Sequence, residues 1–436
     1  MARGPHKVRA PRSPGPSVPS AETLLLTHIG ELATLSGPAR PRIGAEMRDL
    51  GLLHDAAVYA VDGRIAEVGP SRDLAGRTAR AVLDCGGKTV IPGFVDAHTH
   101  ALFAGSREEE LALKAEGLSY QEIAARGGGL MSTVRSTREA TDEEIVAQTR
   151  ARLAAMLRHG TTTAEVKSGY GLSIEQEVRL LTLLARLGQE QPVTLVSTFL
   201  GAHAIPPEHP EGYADLVAGP MLAAVTQHTT ARFCDVWVEE GYFTADEGRR
   251  ILLEAKRLGL EAKVHADELT ACGGAELAAE TSAVSADHLL HSTTSGLREM
   301  AAKRVIGVLL PGTSFASKLP YANGRRLLQE GLAVALGSDL SPNSWIESMQ
   351  TILWIAAHHS GLTAAEALTA ATVNAAYAVG TGYALGTIEV GKRADLLVLD
   401  IPGHQVLGYR HGNVVEAVVK EGRLLLGRPG PGGPAL

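Results

Sequence analysis

The sequence predicts an α/β protein, a (β/α)8 barrel of the TIM type joined to a small β-sandwich domain built from both chain ends. Two observations lead to this prediction. Between residues 93 and 382, short β-rich apolar runs alternate with longer segments of helical periodicity, and the flanking regions contain only short strands and tight turns. Alternating strands and helices predict a parallel sheet covered by helices, and about eight such units close into a barrel.

The barrel prediction depends on eight apolar runs, each of the length of a buried strand. The segments between them, such as residues 141–160 and 173–188, repeat apolar residues with helical periodicity. Thr141 and Ser173 each stand three residues before Glu144 or Gln176, a spacing typical of a helix N-terminus. The eight runs are Phe94–His98, Thr161–Val166, Val193–Leu200, Phe233–Val238, Glu261–His265, Val284–His288, Val305–Leu310 and Ala333–Ser338.

The flanking regions, residues 21–92 and 383–426, predict one small β domain. Turns are indicated at Asp62-Gly63 in the first region, and at Gly391-Lys392 and Glu421-Gly422 in the second. Neither region has enough strands to bury a core alone, so we expect the two to combine. Residues 1–20 are basic and lack an apolar stretch, which predicts a disordered tail instead of a secretory signal, and residues 427–436 form a second, Pro/Gly-rich tail.

Composition narrows the functional classes. The 436 residues include 41 Lys and Arg against 48 Asp and Glu, and the resulting charge of −7 argues against a dedicated nucleic-acid binder. The sequence has no run of about 18 apolar residues, so no membrane span is predicted. The 3 cysteines have neither disulfide nor metal-site spacing, which favours a reducing cytoplasm and excludes thiolate metal sites. With 16 histidines, a metal site built from imidazole and carboxylate ligands stays possible.

Histidine or aspartate follows four of the predicted strands at the point where the strand ends. His98 and His100 belong to the first run, His265 to the fifth, His288 to the sixth and Asp339 to the eighth. The carboxyl ends of barrel strands meet on one face, where (β/α)8 enzymes carry their active sites. A lone core histidine is more often structural than a metal ligand, but His or Asp at the same end of four separate strands is hard to explain by coincidence. Three imidazoles (His98, His100, His265) and Asp339 suit one divalent metal, Zn²⁺ or Fe²⁺, completed by a water.

Two further residues near these strand ends are candidates for proton transfer. Glu268, three residues after His265, can act as general base and then acid, although a glutamate at a helix start is also favoured by the helix dipole. His288 can stabilise charge on a carbonyl oxygen. The alternative is that it contacts the metal ligands and takes no part in the reaction. The fourth run offers no lysine to bridge a second metal. We assign Lys167, after the second run, a solvated or structural role and predict a single metal.

Five segments of the chain resemble one known family. They are VIPGFVDAHTH, SREEE, SGYGL, GAHAIPPE and VHADEL, and the likeness runs from about residue 22 to 425. Together they are similar to the imidazolonepropionase family of the amidohydrolase superfamily, whereas the HxH segment alone indicates only the superfamily. The resemblance implies hydrolysis of 4-imidazolone-5-propanoate to N-formimidoyl-L-glutamate, a step of histidine degradation, by a homodimer. It also implies metal ligands at His98, His100, His265 and Asp339, and catalytic roles for Glu268, His288 and Asp339.

The resemblance further implies a set of substrate-binding residues. Arg107 offers a planar fork for the substrate carboxylate, and the alternative is a surface arginine paired with Glu108–Glu110. Tyr170 and His203 follow the second and third strands, where the alternatives are a packed aromatic and a core histidine. The full set is Arg107, Tyr120, Tyr170, His203, Glu268 and Ser344.

One loop departs from the family pattern. After Asp339, Ser341 and Asn343 stand where the family has Asn and Gly, whereas Pro342 and Ser344 match. Because Ser is shorter than Asn, we expect one substrate hydrogen bond to be lost or bridged by water. Asn343 can keep a left-handed backbone better than most residues other than Gly, so we expect the loop shape to survive.

Two other functions stay open. An aminohydrolase of the same superfamily, deaminating a purine-like or pyrimidine-like ring, uses the same kind of HxH, His, His and Asp set, and ammonia release would identify it. A barrel that has lost catalysis and serves as a binding or scaffold protein would lack a bound metal. The presence of every metal ligand and of Glu268 favours an enzyme.

Overall fold

The structure is a computed structural model that describes residues 21–118 and 120–427, apart from the side chains of Tyr120 and Gln121. The predicted tails, residues 1–20 and the end of the chain from residue 428, lie outside the described residues. The described part has two eight-stranded sheets. Both parts of the predicted fold class are confirmed, a parallel barrel and a separate β domain assembled from the two chain ends.

Sixteen strands make up these sheets within the described residues. They are β1 Thr23–Ala33, β2 Leu52–Val61, β3 Arg64–Pro70, β4 Ala81–Asp84, β5 Thr89–Pro92, β6 Phe94–Asp96, β7 Thr161–Lys167, β8 Thr194–Ala202, β9 Phe233–Val238, β10 Glu261–Ala266, β11 Ser285–His288, β12 Ile306–Leu309, β13 Val334–Leu336, β14 Leu396–Leu399, β15 Val415–Lys420 and β16 Arg423–Leu426. Each of the eight predicted apolar runs overlaps one strand from β6 to β13.

The barrel strands β6–β13 pair in chain order, all parallel, and the seam between β13 and β6 is closed by main-chain bonds. The Asp339 amide donates to the His98 carbonyl at 2.9 Å, and the His100 amide donates to the Leu340 carbonyl at 2.9 Å. A parallel bridge pairs Thr99 with Leu340. Residues predicted as metal ligands therefore lie on the two chain segments that close the barrel.

Helices cover the barrel and carry the predicted caps. At the start of helix α5, Asp142–Arg158, the Glu144 amide donates to Thr141 Oγ1 and the Thr141 amide donates to the Glu144 carboxylate, a complete capping box. At the start of helix α6, Ile174–Glu190, the Gln176 amide donates to Ser173 Oγ, which is half of that motif. None of the described helices is long and apolar enough to cross a bilayer.

The α-helices are α1 Ser71–Leu74, α2 Glu110–Ala115, α3 Tyr120–Ala125, α4 Gly129–Glu139, α5 Asp142–Arg158, α6 Ile174–Glu190, α7 Tyr213–Leu216, α8 Leu222–His228, α9 Ala245–Arg257, α10 Gly274–Glu280, α11 Thr294–Lys303, α12 Pro311–Ser317, α13 Gly324–Gln329, α14 Met349–His359, α15 Ala364–Thr369, α16 Ala375–Ala378 and α17 Gln405–Tyr409. A 3₁₀ turn spans Gly44–Arg48, and π-helical segments span Val217–Met221 and Ala370–Asn374.

The second sheet joins strands from both chain ends. Its order is β16-β15-β14-β5-β1-β2-β3, with β4 also paired to β1, and β5 meets β14 in an antiparallel pair. Leu26 and Val58 from the first region share one buried core with Leu396 and Val419 from the second. Neither region therefore buries its apolar face without the other, as expected for so few strands.

Two of the three predicted turns connect adjacent antiparallel strands. Asp62-Gly63 joins β2 to β3 and Glu421-Gly422 joins β15 to β16, with positive φ at both residues of each pair. That backbone matches the twist of the flanking strands. The turn at Gly391-Lys392 differs, because its main chain bonds to Ile65 in β3 instead of closing a hairpin.

Asn374 ties the barrel to the segment that follows β1. Its side chain is fully buried, and Oδ1 accepts from the Arg42 amide at 2.7 Å. Its Nδ2 donates to the carbonyls of Arg42 and Val334, both at 2.9 Å. Three main-chain groups from distant parts of the chain therefore depend on one amide.

We predict that Asn374→Ala lowers the free energy of unfolding by about 2–4 kcal/mol, because it leaves three buried main-chain groups without partners. Urea unfolding followed by circular dichroism measures the change. The control is Asn323→Ala, which removes the cap of α13 and should lower stability by about 1 kcal/mol. Equal losses in the two variants would contradict the role assigned to Asn374.

Candidate metal and substrate site

The four side chains predicted as metal ligands meet at the carboxyl end of the barrel strands. His100 Nε2 lies 3.2 Å from His98 Nε2 and 3.3 Å from His265 Nε2. Asp339 Oδ1 lies 3.3 Å from His100 Nε2 and 3.6 Å from His98 Nε2. Ligand atoms bound at about 2.0–2.1 Å to a tetrahedral ion lie about 3.3 Å from one another. The spacing of these donors fits one divalent ion.

Burial prepares the same side chains for a cation. Burial, and then the charge of Lys167, lowers the pKa of His98 well below its usual value. Burial and the neighbouring His203 do the same to the pKa of His100. Burial raises the pKa of Asp339 to about 6. The imidazoles of His98 and His100 therefore offer neutral lone pairs, and a nearby cation would favour the ionised form of the aspartate.

A cavity of about 430 Å³ opens over these ligands, a size typical of small-molecule sites. A larger cleft of about 1070 Å³ lies between the second sheet and the barrel, around Thr194, Arg393 and Lys420. Among the described residues, two clusters of side chains could hold a metal ion, His98–His265–His288 and His98–His100–Asp339. Both lie at the smaller cavity, which is therefore the candidate functional site. Its lining residues include His100, Arg107, Tyr170, His203, Trp237, His265, Glu268, His288, Thr313, Ser317, Asp339, Ser341 and Asn343.

Glu268 and His288 face each other at the cavity, with Oε2 and Nε2 3.6 Å apart. Burial, together with the charge of Asp339, raises the pKa of Glu268 well above its usual value. Burial lowers the pKa of His288 well below its usual value. His288 and Asp339 also hold left-handed backbone, with φ of 76° and 51°. Such conformations persist only where surrounding contacts enforce them.

Arg107 lies in the wall of the cavity, and its side chain is only 5% exposed. Its Nε and Nη2 donate to Glu110 Oε1 and Oε2 at 2.8 and 2.7 Å. Glu110 Oε1 in turn accepts from the Gly129 amide at 2.7 Å. The alternative considered from the sequence is therefore right about the pairing and wrong about the surface position, since Arg107 pairs with Glu110 and also lines the cavity.

His203 and Tyr170 form the wall next to His100. The His203 ring stacks on the His100 ring with centroids 4.8 Å apart, and its Nδ1 donates to the Gly169 carbonyl at 3.0 Å. Burial lowers the pKa of His203 to about 3, so Nε2 of the neutral ring is an acceptor. The Tyr170 ring is 3% exposed, with its centroid 5.4 Å from that of His203.

Comparisons with known proteins show which family this chain is similar to. A sequence model of the amidohydrolase family matches residues 108–426. The imidazolonepropionase of Symbiobacterium thermophilum is 48% identical over 415 residues, which cover 92% of this chain and 97% of the relative. The chain belongs to the imidazolonepropionase family. The imidazolonepropionase of Geobacillus kaustophilus is 44% identical over 414 residues, covering 92% of this chain and 98% of the relative.

Solved structures confirm the fold of this family member. An adenosine deaminase from Xanthomonas campestris with bound zinc aligns with a TM-score of 0.71 at 19% identity, covering 93% of both chains. An atrazine chlorohydrolase from Arthrobacter aurescens, complexed with zinc and atraton, aligns with a TM-score of 0.69 at 16% identity, covering 93% of this chain and 96% of that one. At such identities the likeness concerns the fold alone.

Two carboxylates that were not predicted from the sequence lie beside the Nδ1 atoms of two imidazoles, on the side away from the proposed metal. Asp287 Oδ2 lies 2.6 Å from His98 Nδ1, and Asp235 Oδ2 lies 2.9 Å from His265 Nδ1. Carboxylates in this position fix the ring orientation and keep the proton on Nδ1, which leaves Nε2 for a metal. The signal in the sequence was an acidic residue inside an apolar strand, since an unpaired buried acid is costly.

Lys167 is fully buried beneath the ligands, so the solvated position considered for it is wrong. Its Nζ lies 2.7 Å from Glu165 Oε1, 2.8 Å from Asp235 Oδ2 and 3.9 Å from Asp287 Oδ2. Burial opposes its charge, but Asp235, Glu165 and Asp287 outweigh burial and raise the pKa of Lys167. The ammonium therefore remains protonated and compensates the carboxylates that orient the imidazoles.

The loop after Asp339 differs from the expectation. Ser344 is fully buried and is not part of the cavity lining, whereas Ser341 and Asn343 line it. Asn343 does not have positive φ, so no left-handed backbone is needed there. Its Oδ1 accepts from Lys114 Nζ at 2.8 Å and its Nδ2 donates to Ser317 Oγ at 2.9 Å. The side chain of Tyr120, a further predicted site residue, lies outside the described residues.

We predict that Lys167→Met lowers the free energy of unfolding by about 3–5 kcal/mol, because it removes the lysine that pairs with the buried carboxylates of Glu165 and Asp235. Urea unfolding in the presence of a chelator measures the loss without a contribution from bound metal. Arg298→Met, which removes an exposed pair with Glu330, is the control and should change stability by less than about 1 kcal/mol. A similarly small change for Lys167→Met would show that the carboxylates do not need this cation.

Proposed function

We propose that this chain is a metal-dependent imidazolonepropionase that hydrolyses 4-imidazolone-5-propanoate to N-formimidoyl-L-glutamate. One observation carries the proposal. The four donors His98, His100, His265 and Asp339 meet beneath one cavity that the Glu268–His288 pair and Arg107 also line. Relatives named imidazolonepropionase, aligned over 92% of this chain, support the choice of substrate.

The donors that would hold the metal are His98, His100, His265 and Asp339. When bound, a divalent ion such as Zn²⁺ or Fe²⁺ lowers the pKa of a water molecule and polarises a carbonyl. Imidazole and carboxylate donors suit both ions, so the donor set does not choose between them. Asp235 and Asp287 keep two of the imidazoles in the tautomer that binds through Nε2.

Glu268 carries the proton that the reaction must move. It accepts a proton from water as the water oxygen attacks the ring carbonyl carbon. It then donates that proton to the ring nitrogen as the C–N bond breaks. The carbon is left as a carboxylic acid, which loses the second water proton to solvent and becomes the carboxylate. His288, whose Nε2 lies 3.6 Å from the Glu268 carboxylate, hydrogen-bonds the oxygen on which negative charge develops.

The remaining residues orient the substrate. The neutral His203 accepts a hydrogen bond from a ring N–H through Nε2, because its Nδ1 is engaged by Gly169. Tyr170 packs beside it. Arg107, held by Glu110, receives the propanoate carboxylate. Tyr120 and Ser344 stay candidates on the resemblance alone.

The other proposals concern organisation. We propose domain bounds of 21–92 and 383–426 for the β domain and 93–382 for the barrel, with tails at both ends. A homodimer is proposed from the family resemblance, with a small-molecule substrate and neither nucleic acid nor membrane as partner. A cytoplasmic location is supported by the three unpaired cysteines, Cys85, Cys234 and Cys272.

We predict that the metal-loaded protein consumes imidazolone propionate and that Glu268→Gln lowers kcat by about 10²–10⁴-fold while metal stays bound, because proton transfer is lost. Turnover is measured against a panel of cyclic amides and nucleobases, and metal content by elemental analysis. Removing the metal with a chelator should stop turnover, and Zn²⁺ or Fe²⁺ should restore it.

Glu240→Gln, on an exposed glutamate of the loop after β9, is the matched control and should leave kcat unchanged. Ammonia release from a nucleobase without turnover of imidazolone propionate would favour the deaminase. Protein that retains no metal and turns over nothing would favour the scaffold. Full activity in Glu268→Gln would remove Glu268 from the mechanism.

We predict that Arg107→Met raises KM for imidazolone propionate by about 10–100-fold, the equivalent of one charge-assisted hydrogen-bonding group. An analogue with a neutral amide tail should lose much less, because it offers no charge to the guanidinium. Steady-state kinetics with both compounds tests this. Arg126→Met, on an exposed arginine near the cavity, should leave both KM values unchanged, and equal losses for the two compounds would contradict carboxylate binding by Arg107.

A further inference from the structure

Glu177 is a fully buried glutamate of α6 whose carboxylate is surrounded by main-chain donors. Its Oε2 accepts from the Gly169 amide at 3.1 Å. Its Oε1 accepts from the amides of Gly171 and Leu172, at 2.9 and 2.8 Å. One side chain therefore binds three amides of the loop formed by residues 168–172, which follows β7.

This 168–172 loop builds the wall of the cavity that faces the substrate. Tyr170 projects from it into the cavity lining. The Gly169 carbonyl accepts from His203 Nδ1 at 3.0 Å, and this bond decides which ring nitrogen of His203 carries the proton. The position of Gly169 therefore controls both the orientation and the tautomer of His203.

The loop has little freedom to compensate for a change at Glu177. A methyl group on Gly169 would lie 2.9 Å from His203 Nδ1, and one on Gly171 would lie 2.8 Å from Glu177 Oε1. Gly169 has φ of 100° and Leu172 has φ of 51°. Arg138 Nε donates to the Gly171 carbonyl at 2.7 Å from the other side. The loop conformation is thus strained and close-packed, and outside contacts maintain it.

We propose that Glu177 is a positioning residue for substrate binding, which holds the 168–172 loop so that Tyr170 and the Nδ1–H tautomer of His203 face the substrate. This inference rests on the substrate-binding roles proposed above for Tyr170 and His203. Glu177 itself does not line the cavity and acts only through the loop.

Glu177→Gln separates this role from general stability, because the two carboxylate oxygens accept different numbers of main-chain amides, two at Oε1 and one at Oε2. The amide oxygen of Gln is expected to take the place of Oε1, which has two donors. The NH₂ group then faces the Gly169 amide, and the hydrogen bond that this amide donates to the carboxylate is lost because two donors meet. The substitution therefore disturbs Gly169, the residue that fixes His203, while the bonds to Gly171 and Leu172 persist.

The first test is kinetic, on the metal-loaded full chain with imidazolone propionate. Glu177→Gln should raise KM about tenfold with kcat within about threefold of the parent, because substrate positioning is lost while the proton-transfer residues are intact. Metal content should not change. In a His203→Ala background the same substitution should change KM by less than about twofold, since coupled residues are not additive.

Glu366→Gln is the matched control. Glu366 is also a buried glutamate that accepts a main-chain amide, from Thr363 at 2.8 Å, and its other partners are Arg48 and Arg325. It does not line the cavity. Glu366→Gln should lower stability and leave KM unchanged. A parental KM in Glu177→Gln, or full additivity with His203→Ala, would overturn the proposal.

A second measurement does not depend on the substrate. The ¹⁵N shifts of the His203 ring should report the Nδ1–H tautomer in the parent chain and a mixture of tautomers in Glu177→Gln. If the parent fails to turn over imidazolone propionate, the proposed function fails, and an unchanged His203 spectrum in Glu177→Gln would still overturn the positioning role. Should Glu177→Gln not fold, Gly169→Ala disturbs the same contact from the loop side, and an unchanged spectrum and KM there would be equally decisive against it.

Discussion

A lysine ammonium buried among carboxylates lies at the centre of this barrel, and both the fold and the site depend on it. Lys167 is within 2.8 Å of Glu165 and Asp235 and within 3.9 Å of Asp287. The last two carboxylates orient His265 and His98. Charges of this kind are tolerated in a protein interior only when they are paired and hydrogen-bonded. The imidazoles can therefore be held rigidly because the charges behind them are compensated.

The loops above the barrel use a related device, in which buried carboxylates accept main-chain amides. Glu177 holds the loop after β7. Glu239 accepts from the amides of Leu269 and Thr270 and so holds the chain next to Glu268. Asp267 accepts from the amides of Gly274 and Ala275 at the start of α10. Residues proposed to bind the substrate are thus carried on loops whose backbone is fixed by side chains that do not line the cavity.

The strand positions and the meeting of His98, His100, His265 and Asp339 at one end of the barrel were predictable from the sequence because both follow local rules. An apolar run of the right length predicts a buried strand, and His or Asp at its carboxyl end predicts the active face. The carboxylates Asp235, Asp287, Glu177 and Glu239 were not predicted, because the partners that compensate them lie on other strands and loops, which no local pattern identifies. Lys167 was given a solvated or structural role for the same reason, and its burial among carboxylates decides for the structural one. Asn343 shows the limit of motif matching, since its side chain takes partners from α2 and α12 that no spacing reveals.

The seam between β6 and β13 has a consequence for the order in which the chain assembles. Its bonds join the first and last parts of the barrel segment, through the backbone of His98, His100 and Asp339. Contacts between such distant positions carry the largest loop-closure entropy and form late in folding. A divalent ion bound by side chains that follow β6 and β13 would hold these two chain segments together. Metal supply would then govern how long the nascent barrel stays open to proteases and aggregation, in addition to whether the finished enzyme is active.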